Sequence, residues 1–110
     1  MNIGIELDNV ISSPVSDYMA MTDVANTKVL EGSKETLDKL KSMGHTITIY
    51  TSRDASLGPD TEMWLQRNKL TYDRIIFNKP VLDMIIDKKS YKFDNWESFL
   101  KNYKYHLRNN

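Results

Sequence analysis

The stretch HTITIYTSR, residues 45–53, contains the clearest strand pattern of the sequence. Its β-branched and aromatic residues Ile47, Ile49 and Tyr50 are typical of a strand, and the polar Thr-Ser-Arg that follows marks where the strand ends. Short apolar runs of the same kind predict three further strands, at residues 3–7, 74–77 and 84–86.

Three helices are predicted between and after these strands. Ser33 suits the cap of the first helix and Gly44 its end, while Pro59 suits the first turn of the second. The third helix is predicted to begin near Asp94 or Asn95. Its apolar residues recur at helical spacing and predict a face turned to the core: Trp96, Phe99, Leu100, Tyr103 and Leu107.

Strands that alternate with helices, and that are too apolar to face water, predict an α/β fold with a parallel sheet covered on both faces. We expect a three-layer, Rossmann-like domain over residues 1–110, with about four strands in the order 4-1-2-3 and right-handed crossovers. Residues 12–32 show no clean periodicity and are predicted to form a loop that borders the carboxyl ends of the strands.

Composition excludes several classes of protein. The chain has 110 residues, with 15 Lys and Arg against 15 Asp and Glu, and this zero net charge argues against a nucleic-acid or anionic-membrane binder. It has no cysteine, which excludes disulfides, thiolate metal sites and cysteine nucleophiles. No apolar run approaches the ~20 residues of a membrane span, and we expect a soluble, cytoplasmic domain.

Polar residues follow each predicted strand at the point where it ends. Because the carboxyl ends of parallel strands meet at one edge of an open α/β sheet, we expect these side chains to lie together there. Several carboxylates with a hydroxyl and an ammonium group can hold Mg²⁺ and neutralise phosphoryl oxygens. The residues concerned are Glu6, Asp8, Asn9, Thr51, Ser52, Arg53, Lys79 and Asp87.

Each of these residues also has a purely structural explanation. Glu6 is compatible with a surface ion pair, Asp8 and Asn9 with simple turn chemistry, and Thr51 with a helix cap. Lys79 by itself would be an ordinary loop lysine. The occurrence of such residues at all four strand ends, in this order along the chain, is stronger evidence for a site than any single residue.

Four segments occur in a recognisable order: IGIELDNVI (3–11), ITIYTSR (47–53), NKP (78–80) and MIIDKKS (84–90). This ordered set resembles the four motifs of the haloacid dehalogenase superfamily, most of whose members are Mg²⁺-dependent phosphohydrolases. The resemblance covers nearly the whole chain. It is closest to small members without a cap domain, like the capsule-biosynthesis sugar-phosphate phosphatases.

The resemblance implies a role for each matched residue. Glu6 occupies the position of the nucleophilic carboxylate and Asp8 that of the general acid and base. Thr51 would contact the phosphoryl group, Lys79 would balance its charge, and Asp87 would hold Mg²⁺ together with Glu6 and Asp8. The substrate would also be contacted by three neighbours of these residues: Asn9, Ser52 and Arg53.

Two residues depart from the family pattern. The nucleophile of the family is aspartate, and Glu6 extends that carboxylate by about 1.5 Å. A misplacement of about 1 Å can cost on the order of 10²-fold in rate. Lys88 replaces the second acid of the metal motif and places a positive charge beside the cation site. Both changes predict weakened or lost metal binding and catalysis.

Two functions therefore remain open at this point. The first is a divergent Mg²⁺-dependent phosphatase of weak activity that acts on a small phosphomonoester such as a sugar phosphate. The alternative is a non-catalytic domain that binds a phosphorylated ligand or a protein partner. The resemblance also allows a homo-oligomer. A phospho-acceptor receiver domain would need an aspartate where the chain has Phe77-Asn78, and a nicotinamide-binding domain would need a G-x-G-x-x-G segment that the chain lacks.

Overall fold

The computed structural model describes residues 1–13 and 27–108, without the side chains of residues 104–108. A wide turn at Leu7–Ile11 follows the first strand and a short 3₁₀ turn at Ala55–Leu57 precedes the second helix. The regular elements are β1 (Asn2–Glu6), α1 (Ser33–Ser42), β2 (Thr46–Tyr50), α2 (Gly58–Arg67), β3 (Arg74–Ile76) and α3 (Trp96–Arg108).

The three strands form one parallel sheet in the order β1-β2-β3. The register of β1 and β2 runs from Asn2 opposite Thr46 to Glu6 opposite Tyr50. All three strands therefore end at the same edge, which we call the carboxyl edge. The predicted α/β class and the parallel sheet are confirmed.

The predicted fourth strand is not formed in the described part of the chain. Residues 84–86 pair with no strand, and the side chains of Met84, Ile85 and Ile86 are 75%, 51% and 93% exposed. The position expected for this strand, beside β1, lies across the sheet from the end of β3, and only residues 77–83 connect the two places. Parallel strands usually need a crossover of about a dozen residues or more, so a short connection disfavours this pairing.

The described residues cover one face of the sheet rather than the expected two. Ile5, Ile47 and Ile49 point to the same side and are buried, whereas Gly4 and Thr46 on the other side are exposed. Successive strand residues point to opposite faces, so the alternating sequence of β2, TITIY, already carried this signal. A second covered face was predicted from the number of apolar residues in the strands, whereas their alternating spacing indicates that only one face is buried.

All three helices contribute to a single core against the covered face. The apolar positions predicted for α3 are confirmed for Trp96, Phe99 and Tyr103, while the side chain of Leu107 is outside the described atoms. No helix of the described residues is long and apolar enough to cross a membrane. The buried helix residues are Leu37, Leu40, Trp64, Leu65, Trp96, Phe99 and Tyr103.

The predicted cap residue is correct for one helix and wrong for another. At α3, the side-chain oxygen of Asn95 accepts from the backbone N–H of Ser98 at 2.8 Å, which confirms the predicted cap. At α1, the cap position is Gly32. Ser33 instead donates its hydroxyl to the carbonyl oxygens of Val10 and Ile11 at 3.3 and 3.0 Å.

The two ends of the predicted loop 12–32 pair with each other. Ser12 and Val29 form an antiparallel bridge, and the backbone N–H of Ser13 donates to the carbonyl of Lys28 at 2.7 Å. This short pairing begins directly after the turn that follows β1. Residues 14–26, which hold most of the predicted loop, lie outside the described residues.

Candidate functional site

The turn after β1 directs Asp8 towards the neighbouring strand. Leu7 and Ile11 are fully buried and anchor the turn, which the backbone N–H of Ser12 closes by donating to the carbonyl of Leu7 at 3.0 Å. Asn9 has a φ of 67°, a left-handed conformation that asparagine adopts more readily than most residues. The tip of the turn, at the half-buried Asp8 and the exposed Asn9, is therefore held in place by buried residues on both sides.

Asp8 accepts hydrogen bonds on both carboxylate oxygens. The hydroxyl of Thr51 donates to Oδ2 at 2.7 Å, and Arg53 donates to Oδ1 through Nη2 at 2.7 Å and Nε at 3.1 Å. The side chain of Arg53 is 3% exposed and that of Asp8 is 17% exposed. This is a largely buried ion pair that joins the ends of β1 and β2.

Arg53 is held from a second side by a residue that the sequence analysis missed. Its Nη1 donates to the hydroxyl of Thr61 at 3.1 Å, and Thr61 is fully buried near the start of α2. A helix that follows a strand begins near the carboxyl end of that strand, so a polar residue early in α2 was the available signal. With Thr61 and Asp8 as partners, the side chain of Arg53 is enclosed, and its predicted contact with a substrate stays a prediction.

Lys79 lies next to Thr51, as predicted, because the chain after β3 continues alongside β2. The backbone N–H of Lys79 donates to the carbonyl of Thr51 at 3.0 Å, and that of Asn78 donates to the carbonyl of Arg53 at 2.9 Å. The ammonium nitrogen of Lys79 lies 4.5 Å from the centre of the Tyr50 ring, in cation–π contact.

Glu6 and Tyr50 are neighbours on the exposed face of the sheet. They are opposite each other in the strand register, and Tyr50 was not among the predicted site residues. Burial first, and then the nearby Glu6 carboxylate, raise the pKa of Tyr50 above its ordinary value. A Cβ atom at Gly4 would lie 3.3 Å from the Tyr50 ring, so glycine leaves the ring the room to lie over β1. Glu6 is half-buried, and its carboxylate makes no hydrogen bond or ion pair with another described residue.

Of the remaining predicted residues, Asp87 makes its hydrogen bond away from this cluster. Asp87 is exposed, and its Oδ1 accepts from the backbone N–H of Lys89 at 2.6 Å. Ser52 and Asn9 are exposed at the carboxyl edge. The structure therefore brings together Asp8, Thr51, Arg53 and Lys79, with Glu6 at the adjacent strand end and Asp87 apart.

The described arrangement does not fit a Mg²⁺ ion. Within residues 1–13 and 27–108 there is no group of three or more His, Asp or Glu side chains that could hold a metal. Both oxygens of Asp8 already accept from Thr51 and Arg53, and the positive guanidinium 2.7 Å from Oδ1 would repel a metal cation placed beside this carboxylate. The carboxylate of Glu6 by itself provides fewer oxygen ligands than Mg²⁺ needs.

Comparisons with known proteins show the fold alone. Neither the protein-family models nor the curated proteins contain a match. Among solved structures, a target protein from Vibrio cholerae has a TM-score of 0.73 and 16% identity, with 99% of this chain and 98% of that chain covered. A chain of the Pnkp1/Rnl/Hen1 complex has a TM-score of 0.60 and 21% identity, and 91% of this chain spans 34% of that longer chain. This chain therefore shares its architecture with proteins that are very different in sequence.

Proposed function

We propose that this chain is a divergent, haloacid dehalogenase-like phosphohydrolase domain whose activity on small phosphomonoesters, such as sugar phosphates, is weak. The observation that supports the proposal is the network of Asp8, Thr51 and Arg53, with the backbone of Lys79 beside it. Three segments that lie far apart in the sequence, and that resemble three of the family motifs, converge there. A cytoplasmic location belongs to the same proposal.

In the proposed reaction Glu6 is the nucleophile. Its carboxylate has no partner among the described residues, so an oxygen of Glu6 is free to attack phosphorus while the bond from phosphorus to the leaving oxygen breaks. The leaving oxygen takes a proton from Asp8. The Asp8 carboxylate then takes a proton from the water that attacks the acyl-phosphate, which releases inorganic phosphate and restores both Glu6 and the protonated Asp8. Lys79 supplies positive charge for the phosphoryl oxygens.

Two features of the site make this reaction slow. The additional methylene of Glu6 displaces the attacking oxygen by about 1.5 Å relative to aspartate. Asp8 is engaged as a hydrogen-bond acceptor by Arg53 and Thr51, so it has to leave Arg53 before it can carry a proton to the leaving group.

The dependence on Mg²⁺ is also part of the proposal. The described conformation does not fit the ion, and no step above uses it. The predicted strand order 4-1-2-3 would place residues 84–86 beside β1 and would bring Asp87 to the carboxyl edge near Glu6. We propose that the segment takes that position in the active conformation, in place of the unpaired one described, and the chemical test includes assays with Mg²⁺ and with a chelator.

Shortening the nucleophile tests the proposed reaction directly. We expect Glu6→Asp to raise the hydrolysis of a generic aryl phosphate by about 10²-fold, because about 1 Å of alignment is recovered. Adding Asp8→Asn should remove that gain, because the leaving oxygen loses its proton donor. Steady-state rates of the wild type and both variants, with circular dichroism to verify folding, provide the measurement.

A matched control distinguishes an effect of Glu6→Asp on the site from a general effect of shortening a glutamate. Glu35→Asp makes the same change on an exposed position of α1 and should leave the rate unchanged. Strong turnover by the wild type that falls in Glu6→Asp would contradict a misplaced nucleophile and would show that glutamate is adapted to this site.

The non-catalytic alternative has an observation in its favour. Asp8 has Arg53 and Thr51 as partners, and the described residues contain no cluster of three acids that could hold a metal. If no variant turns over, even with Lys88→Asp added to restore the acid of the metal motif, the domain is non-catalytic. In that case calorimetric binding of inorganic phosphate, and its loss in Lys79→Gln, would identify a phosphate-binding domain.

A further inference from the structure

The ring of Tyr50 lies at the carboxyl edge, on the open face of the sheet. Tyr50 ends β2, the middle strand, and is paired with Glu6 of β1 on one side and with Ile76 of β3 on the other. Strands that are hydrogen-bonded on both sides are among the parts of a fold that open least readily. The ring is therefore carried by the most firmly held strand of the described sheet.

Gly4 leaves the space that the ring occupies. A Cβ atom at Gly4 would lie 3.3 Å from Cε1 and 3.5 Å from Cδ1 of Tyr50, and the first of these distances is tighter than an ordinary contact. Gly4 is not among the described residues with a positive φ, so glycine provides space here rather than an unusual backbone conformation. A glycine within a strand often marks such a close approach.

The ammonium of Lys79 lies over this ring. The backbone of Lys79 is fixed by its hydrogen bond to the carbonyl of Thr51, but its side chain is a flexible four-carbon stem. The ammonium nitrogen is 4.5 Å from the ring centre, and it makes no hydrogen bond or ion pair with another described residue. The Tyr50 ring is thus the contact that fixes the end of this side chain.

Glu6 carries the opposite charge on the neighbouring strand, yet among the described residues it does not pair with Lys79. Glu6 lies beside Tyr50 in the strand register, and Lys79 lies over its ring. A cation–π contact and an ion pair that are both partly exposed have similar strength, so the ring is able to hold the ammonium apart from the carboxylate. Both charges then stay unpaired, which the attack by Glu6 and the charge neutralisation by Lys79 both need.

We propose that Tyr50 is a positioning residue, whose ring holds the ammonium of Lys79 at the carboxyl edge for the oxygens of a bound phosphate or phosphomonoester. This role rests on the proposed function, which assigns Lys79 to the phosphoryl oxygens. The hydroxyl of Tyr50 makes no hydrogen bond with a described residue, so the face of the ring provides the contact. Phenylalanine should therefore substitute for Tyr50, whereas an aliphatic side chain should not.

Proton NMR tests the contact itself and needs no turnover. The ring current of Tyr50 should shift the ε-methylene protons of Lys79 upfield of those of exposed lysines, and Lys79→Gln identifies the signal by removing it. Tyr50→Phe should keep the shift, and Tyr50→Ile and Tyr50→Leu should each abolish it. Lys39, whose ammonium lies 4.9 Å from the centre of the Tyr103 ring, gives a second shifted signal that should stay in every variant and so verifies folding.

Calorimetric titration with inorganic phosphate tests the consequence for binding. Tyr50→Ile should weaken phosphate binding about fivefold, the factor that corresponds to an exposed cation–π contact, while Tyr50→Phe should stay within about twofold of the wild type. Added to Lys79→Gln, Tyr50→Ile should cause no further loss, because Tyr50 acts through Lys79.

Tyr72→Ile is the matched control for the loss of a tyrosine ring. Tyr72 is also half-buried, but it precedes β3 and so lies at the amino ends of the strands. Its substitution should leave both the Lys79 signal and the affinity for phosphate unchanged.

The outcomes separate positioning from catalysis. A Lys79 signal that is not shifted in the wild type, or that stays shifted in Tyr50→Ile, would refute the contact. Unchanged phosphate affinity in Tyr50→Ile, an equal loss in the Lys79→Gln background, or a wild type that binds no phosphate would refute the positioning role. The proposed reaction fails differently, through the absence of turnover in every variant, and a fivefold loss of phosphate binding in Tyr50→Ile would then still support positioning.

Discussion

The roles of Asp8 and Arg53 depend on the ion pair that the two residues form with each other. In the sequence, both are polar residues at strand ends with separate expected roles in binding and catalysis. In the structure, Arg53 donates from Nε and Nη2 to Asp8 and from Nη1 to Thr61. Its side chain has almost no access to solvent. Removing one partner of such a pair leaves the other charge buried and unpaired, which costs far more than the loss of an exposed ion pair.

A double-mutant cycle on Asp8 and Arg53 measures this dependence. We expect Asp8→Asn and Arg53→Met each to lower the free energy of unfolding by about 2–4 kcal/mol, because each leaves a desolvated polar partner. The double variant should lose clearly less than the sum of the two. Urea denaturation at neutral pH gives the three differences.

Lys101 and Glu97 provide the control cycle for that experiment. Their 3.5 Å ion pair lies on α3 with side chains 71% and 82% exposed, so its coupling should be at most about 0.5 kcal/mol. A coupling between Asp8 and Arg53 no larger than this would contradict a buried, mutually dependent pair.

At the scale of the elements, α3 is packed against the start of α1. Gly32, the cap of α1, has a φ of 89°, and a Cβ atom there would lie 2.9 Å from the Cβ of Trp96. The indole N–H of Trp96 lies 2.9 Å from both the carbonyl of Val10 and the hydroxyl of Ser33. The turn after β1, the start of α1 and the start of α3 therefore meet at one tightly packed point.

Two glycines with the same left-handed backbone differ in how much space surrounds them, so comparing them separates the effect of backbone conformation from the effect of packing. Gly44, after α1, has nearly the same φ of 90°, but no atom lies within 4 Å of the added Cβ. We expect Gly44→Ala to cost about 1 kcal/mol for the left-handed backbone alone. Gly32→Ala should cost about 1–3 kcal/mol more, because Trp96 has to move. Urea midpoints of the two variants provide the comparison, and equal losses would exclude a packing constraint at Gly32.

At the scale of the whole molecule, two carboxylates tie α1 to the turn before β3. Asp38 accepts from Lys34 and Thr71 at 2.7 Å, and Asp73 accepts from Lys41 at 2.8 Å and from the backbone N–H of Ile47 at 2.7 Å. Hydrogen bonding to Lys34, and next to Thr71, lowers the pKa of Asp38. Hydrogen bonding to Lys41, and next to the N–H of Ile47, lowers the pKa of Asp73.

These lowered pKa values predict how acid affects the fold. A carboxyl whose pKa is lower in the folded state adds stability above its unfolded pKa of about 3.9, and that stability is lost as the pH falls through the folded pKa. The double variant Asp38→Asn/Asp73→Asn should therefore be less stable than the wild type at pH 7, and the difference should shrink as the pH falls below about 4. Urea denaturation from pH 7 to pH 2.5 measures both curves.

The control for acid stability is Asp60→Asn, an exposed position near the start of α2. Its acid profile should follow that of the wild type. A difference between the double variant and the wild type that stays constant down to pH 2.5 would show that Asp38 and Asp73 do not contribute through their ionised forms.

Much of the architecture could be predicted because it depends on local patterns. β-Branched residues at 46–50, Pro59 at the first turn of α2, and the spacing of Trp96, Phe99 and Tyr103 are properties of neighbouring residues, and each identified its element correctly. The parallel sheet followed from the alternation of strands and helices. The strand predicted at 84–86 is not formed in the described residues, because an apolar run shows a preference for strand but not whether the chain reaches an edge to pair with.

The class of fold, the helices and strands of the described residues, and the carboxyl edge where Asp8, Thr51, Arg53 and Lys79 meet could all be predicted from the sequence. Three features became visible only in the folded chain: Arg53 closes over Asp8, Tyr50 lies between Glu6 and Lys79, and one face of the sheet stays open in the described residues. The physical reason is the range of the interactions. Secondary structure depends on residues a few positions apart, whereas ion pairs and strand edges depend on distances that exist only after the chain has folded.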